Sequence, residues 1–208
     1  MNLIFDLDGT LINSRPRLYQ LFQKLVPESK LSYDSYWSFK QEKISNETIL
    51  AQEFGYDNAA ISRFVASWLD LIEAPEFLAL DKNLPGMHAA LSRLSKQAQL
   101  HVCTARQHRK PVVDQLHSLE LLHFFESVMV TEQSRGKVEL VTALSNLGPQ
   151  DWIIGDTGND IQVGKALGIK TCAVLTGFLS KKSLLPYCPD LLLPSASHFL
   201  LQFDTAVI

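Results

Sequence analysis

Met1-Asn2-Leu3-Ile4-Phe5-Asp6-Leu7-Asp8-Gly9-Thr10 opens the chain, and its reading decides the fold. Leu3, Ile4 and Phe5 form an apolar run that ends abruptly in Asp6 and Asp8. Such a run suits a strand buried on both faces of a parallel sheet. In open α/β sheets, ligands bind just beyond the carboxyl ends of the strands. Two carboxylates, two residues apart, therefore stand where such a fold does chemistry. Gly9 permits a sharp turn, and the Thr10 hydroxyl is expected to hydrogen-bond back into it. A polar strand end followed by a turn would read the same way, so the meaning of the pair depends on the rest of the chain.

Working outward, Ser14 is placed to cap a helix with Pro16 in its first turn, and Leu18, Leu21, Phe22 and Leu25 recur at helical spacing. Pro27, Ser29 and Lys30 break it. An aromatic stretch follows (Tyr33, Tyr36, Trp37 and Phe39), read as internal packing. Ser45 or Asn46 caps a second helix that ends at Gly55, and Ile61, Phe64, Val65, Trp68, Leu69 and Ile72 line a third. From about Ser14 to Lys82 the chain reads as helical, with no strand signal.

After Leu84-Pro85-Gly86 the rhythm alternates. Apolar strands are expected at Ala98–Cys103, Ser127–Val130, Trp152–Ile154, Thr171–Leu175 and Leu191–Leu193, separated by helical segments, one of them stopped by Gly168. Strands joined by crossover helices imply an α/β fold: a Rossmann-like, mostly parallel sheet with helices on both faces, plus an inserted all-helical cap. The expected division is residues 1–13 and 84–208 as the α/β core and 14–83 as the cap.

Bulk properties narrow the function. The 208 residues carry a net charge of −3, with 46% hydrophobic and 20% charged residues. That balance fits a globular protein and disfavours a nucleic-acid or anionic-membrane partner. No stretch has the length of a transmembrane helix, and Asp6 and Asp8 interrupt the one apolar run near the start, so a cytoplasmic location is expected. Cys103, Cys172 and Cys188 are odd in number and widely spaced, which fits a reducing compartment and gives no support to a cysteine metal site. The six histidines show no metal-ligand spacing.

Several polar groups follow strands: Asp6 and Asp8, Thr104, the Lys137 region, and Asp156 with Asp160. Parallel strands bring their carboxyl ends to one edge, so these groups can converge. In this order Asp6-Leu7-Asp8-Gly9-Thr10, Thr104, Lys137 and Gly155-Asp156-Thr157-Gly158-Asn159-Asp160 resemble the four motifs of the haloacid dehalogenase-like hydrolase superfamily. The helical insertion resembles that family's small α-helical cap, and the tail from Gly168 to Asp190 resembles its phosphoglycolate-phosphatase-like branch. Two departures stand out: Val138 occupies the position where the family lysine is often followed by proline, and Arg135 is a second cation nearby.

The resemblance implies a Mg2+-dependent phosphatase acting on a small phosphorylated metabolite. It makes Asp6 the nucleophile and a metal ligand, forming an aspartyl-phosphate. Asp8 is implied to be the general acid and then base, lending its backbone carbonyl to the metal. Asp156 becomes the third protein ligand, with Asp160 and Thr10 supporting, while Thr104 and Lys137 bind the phosphoryl group. Taken singly, Thr104 also suits a helix cap, Lys137 a solvated helix start, and Asp156 and Asp160 a turn and cap. Arg15, Lys40, Lys43, Ser45 and Asn46 are the cap residues placed to reach a substrate. Asp8 argues against the dehalogenase branch, whose leaving halide needs no proton. A phosphomutase of the same fold and a non-enzymatic metal-dependent regulator are the rival readings. Oligomeric state is open.

Overall fold

The structure, a computed structural model, describes residues 1–200. Six parallel strands form the central sheet: β1 (Asn2–Phe5), β4 (Gln99–Thr104), β5 (Ser127–Val130), β6 (Trp152–Gly155), β7 (Lys170–Val174) and β8 (Leu191–Leu193). They lie in the order β5-β4-β1-β6-β7-β8, which makes β1 central. Phe5 is in register with Val102 on one side and Ile154 on the other. The carboxyl ends of β1, β4 and β6 are therefore adjacent, and the groups that follow them share one edge.

Alternation along β1 divides the core into two layers. Leu3 and Phe5 pack with Met87, Leu91 and Leu94 of α6 (Met87–Leu94) and with Val112 and Leu116 of α7 (Arg109–Ser118). Ile4 points to the opposite face, among Leu140 and Val141 of α8 (Lys137–Thr142) and Val163 of α9 (Gly158–Leu167). Every residue of β1 is buried: Leu3, Ile4 and Phe5 as an apolar run requires, and Asn2 by donating to the Asp151 carboxylate. Gly168 ends α9 in the left-handed region at φ 66°.

The helical insertion comprises α1 (Arg15–Leu25), α2 (Tyr33–Gln41), α3 (Asn46–Phe54), α4 (Asn58–Leu71) and the short α5 (Pro75–Leu78). Ser32, Ser45 and Asp57 cap α2, α3 and α4 by accepting backbone N–H groups. Ser14 precedes α1 without such a side-chain bond. Phe22, Tyr36, Trp37, Ile49, Leu50 and Phe64 form the insertion's own core, so the aromatic stretch does pack internally.

The segment is helical as expected, and at its very edges β2 (Ile12–Asn13) and β3 (Lys82–Asn83) pair antiparallel where the chain enters and leaves the insertion. Two residues per strand are too few for a periodic pattern to register. The α8 helix stops at Thr142, and Leu144 and Leu147 beyond it still pack on its core layer. One expectation is corrected. The Thr10 hydroxyl is buried with no hydrogen-bond partner; the turn is closed by backbone instead, with Thr10 and Leu11 N–H donating to the Leu7 carbonyl. All three cysteines are free, and no helix among the described residues is long and apolar enough to cross a membrane.

Candidate active site

Asp6 follows β1 and is 7% exposed; Asp156 follows β6 and is fully buried; Asp160 lies in the first turn of α9 and is 1% exposed. Carboxylate oxygens of the three lie within 4.8 Å of one another. Lys137, the first residue of α8, reaches into this group. Its Nζ donates to Asp6 Oδ1 and to Asp160 Oδ1, each at 2.6 Å. The other Asp160 oxygen accepts from the Thr157 backbone N–H and hydroxyl at the start of α9. Asp160 is thus both a helix-start residue and a partner of the buried lysine. Thr104, at the end of β4, is 1% exposed and lines the same cavity, of about 420 Å3, as Asp6, Asp8, Lys137 and Asp156.

Three carboxylates against one ammonium leave an excess of buried negative charge. Burial is the main reason the Asp6 carboxyl is pushed up to about 7; Lys137 opposes that shift and Asp160 adds to it. Asp156 is also raised well above the ordinary carboxyl value, first by burial and then by its acidic neighbours Asp6 and Asp160. Lys137 is held above its ordinary range because Asp160 and Asp6 outweigh the burial that works to lower it. The arrangement favours a bound cation on electrostatic grounds.

The fit to a hard divalent cation can be tested on Asp156. Its Oδ2 accepts the Phe178 backbone N–H at 2.8 Å, whereas its Oδ1 is buried with no partner. A buried, unpaired carboxylate oxygen is costly unless something is bound there. The backbone closes tightly around this side chain. Gly9, at φ +78°, and Gly177 both stand where a Cβ would overlap the Asp156 carboxylate. An all-oxygen donor set with room for several waters suits Mg2+.

Asp8 lines the same cavity but is held by other partners. Its carboxylate is gripped by Arg106, through Nε at 2.5 Å and Nη2 at 2.8 Å, and by Arg17 of α1. Both guanidinium groups also meet Asp81, which is 2% exposed, and Arg106 Nη2 lies 3.2 Å from Gln115 Oε1. Burial works to raise the Asp8 carboxyl, but Arg106 and Arg17 hold it well below the usual carboxylate range. The Asp8 carboxylate is therefore paired with the two arginines and not with Lys137, beside the acidic trio in the same cavity.

Sequence reading missed Arg17, Asp81 and Arg106. Arg106 lies two residues beyond Thr104 at the strand end, but nothing local marks it as a partner of Asp8, 98 residues away. Of the insertion residues expected to reach a substrate, Arg15 contacts this region, donating from Nε to the Gly177 carbonyl at 2.9 Å. Lys40 bonds Asn46 Oδ1 at 3.0 Å, and its amine is pushed down to about 8 by burial. Lys43 lies 3.3 Å from the Tyr187 hydroxyl, and Ser45 caps α3.

The haloacid dehalogenase-like hydrolase family model matches residues 3–174 of the chain. The chain belongs to the haloacid dehalogenase-like hydrolases. It is similar to a phosphoglycolate phosphatase of Aliivibrio fischeri, 24% identical over 219 residues, covering 98% of this chain and 96% of the relative. Among solved structures it is similar to a haloacid dehalogenase-like family hydrolase of Streptococcus pneumoniae, with a TM-score of 0.80 and 25% identity over 97% of each chain. It also shares its fold with a hydrolase of the same family from Bacillus subtilis solved bound to magnesium, with a TM-score of 0.66 and 17% identity over 98% of each chain. The family match gives the hydrolase class implied by the four ordered motifs.

Proposed function

We propose that this hydrolase is a Mg2+-dependent phosphatase that cleaves a small phosphorylated metabolite through an aspartyl-phosphate on Asp6, its helical insertion (residues 14–83) serving as a cap over the substrate. One observation carries the reading: carboxylates from residues 6, 156 and 160 meet around a buried lysine at the sheet edge, with one Asp156 oxygen left unpaired. The magnesium-bound relative supports the choice of ion, and the phosphatase relative supports the substrate class.

Asp6 and Asp156 would hold the ion, with the Asp8 backbone carbonyl as a further ligand, and Asp160 steadies Lys137. Mg2+, when bound, offsets the repulsion between the phosphate and the attacking carboxylate. Asp6 attacks phosphorus, so a carboxylate O–P bond forms as the ester O–P bond breaks. Asp8 gives its proton to the departing alkoxide and takes one from the water that cleaves the acyl phosphate. Thr104 donates to a phosphoryl oxygen, and Lys137 offsets the charge that develops there. Asp8 on its two arginines is in the ionised form, which suits the second step. To serve as an acid it must part from Arg106, whose Nη2 already faces Gln115 and Asp81 at 3.2 and 3.4 Å. The cap excludes bulk water while this happens.

The test is hydrolysis of an aryl phosphate and of a panel of phosphorylated metabolites, phosphoglycolate included, with Mg2+ and with chelator. The wild type should release phosphate only with Mg2+, and Asp6→Asn should release none. Phosphate release that persists in Asp6→Asn would remove the proposed nucleophile. Isomerisation of a sugar phosphate without release would mean a mutase, and no turnover of any ester would mean a metal-dependent regulator.

A further inference from the structure

Thr176 to Ser180, the segment that leaves β7, contacts the metal carboxylate and the cap at once. Gly177 packs against Asp156 so closely that no Cβ fits, and the Phe178 N–H fixes Asp156 Oδ2 at 2.8 Å. On its other side the segment meets α1 and α2. The Phe178 ring stacks on Trp37, with centroids 5.5 Å apart and planes at 17°. The Arg15 guanidinium lies over the same Trp37 ring at 5.2 Å and donates to the Gly177 carbonyl. The Gln41 carbonyl at the end of α2 accepts from Ser180 N–H at 3.2 Å and from the Ser183 hydroxyl at 2.7 Å.

We infer that Gly177-Phe178 couples the seating of the cap to the orientation of Asp156, so that cap closure and divalent-cation binding strengthen each other, with Trp37 and Arg15 as positioning residues. The inference rests on Asp156 being a metal ligand. While the cap is seated, the stack and the Arg15 bond pin the dipeptide, and the pinned N–H keeps Oδ2 occupied. Oδ1 then has one orientation, buried and unpaired. Lifting α1 and α2 removes the stack and the Arg15 bond, leaving the dipeptide held by fewer contacts and Asp156 less well aimed. A coupling of this kind is reciprocal: whatever cap closure does for ion affinity, the ion does for closure.

The measurement is Mg2+ binding to the full chain by calorimetry, with no substrate. Trp37→Leu and Arg15→Met each leave the acidic trio and Lys137 in place. Each should weaken Mg2+ binding by about 2- to 12-fold, the factor that the loss of one stacked aromatic or cation–π contact supplies. Trp37→Phe keeps a ring against Phe178 and should bind within about 2-fold of wild type. A contact that merely stabilises the fold would lower the melting temperature and leave the Mg2+ Kd unchanged; that result in both variants overturns the coupling. If Trp37→Leu does not fold, Arg15→Met decides alone. Wild type that binds no Mg2+ overturns the reading of Asp156, and the coupling with it.

Discussion

Lys137→Met removes the one ammonium that Asp6 and Asp160 share. Both carboxylates are nearly inaccessible, and each loses a charge-assisted bond of 2.6 Å. Breaking a buried ion pair by deleting one partner typically costs about 3–5 kcal/mol, because the charge left behind has no compensation. There is a ceiling on that cost. A stranded carboxylate can take up a proton instead, which at neutral pH lies about 3 pH units from its unfolded pKa and so costs about 4 kcal/mol per carboxylate, a cost that Asp6, already pushed up to about 7, largely carries in the wild type. Around that value, a chain of this size should melt roughly 8–16 °C lower, at about 2–4 °C per kcal/mol. Calorimetric scans in chelator would measure the shift. Removing the acceptor as well, in Lys137→Met with Asp160→Asn, should recover part of the loss, since one of the two stranded anions is then gone. A shift below about 3 °C for Lys137→Met, or a double variant no better than the sum of the singles, would refute the account of Lys137 as the counter-charge of the cluster.

Other changes probe neighbouring features. Arg106→Met takes a guanidinium from Asp8 and from buried Asp81 and should cost about 3–5 kcal/mol, read from the urea midpoint. Gly177→Ala places a Cβ against the Asp156 carboxylate and should destabilise by about 1–3 kcal/mol while abolishing tight Mg2+ binding. A folded variant with wild-type affinity would contradict it. His101 is 6% exposed, between the Ser127 hydroxyl and Asn2 Oδ1, and burial holds its pKa below the ordinary histidine value. Its neutral form is therefore favoured on folding. Its contribution is complete above about pH 6.5 and is lost as pH falls toward the lower folded value. The stability difference between wild type and His101→Gln should accordingly shrink between pH 7 and pH 5 in urea titrations, and a constant difference would contradict this.

The parallel sheet was legible because every strand announces itself: apolar runs end in Asp6, Thr104 and Gly155-Asp156, and crossover helices lie between them. The acidic convergence followed from that topology, since β1 sits between β4 and β6. The partners of Asp8 did not follow. Arg17 and Asp81 flank an insertion and read as ordinary helix and loop charges, while Arg106 has no periodic or motif context of its own; only the folded chain brings them together. The cap contacts were hidden for a similar reason. Trp37 looks like any buried aromatic, and nothing in Thr176-Gly177-Phe178 says that one face holds a carboxylate and the other a ring.

The small antiparallel seam of β2 and β3, where Ile12 faces Asn83 and Asn13 faces Lys82, has an evolutionary corollary. Entry and exit lie side by side, so the roughly 70-residue excursion can be lengthened, shortened or exchanged while the sheet beneath keeps its register. Closing a loop costs only as the logarithm of its length. Trimming this one to a four-residue turn would relieve about 2.5 kcal/mol, and doubling it would add only about 0.6. The seam works as a socket, in which the helical excursion can be exchanged above an unaltered sheet.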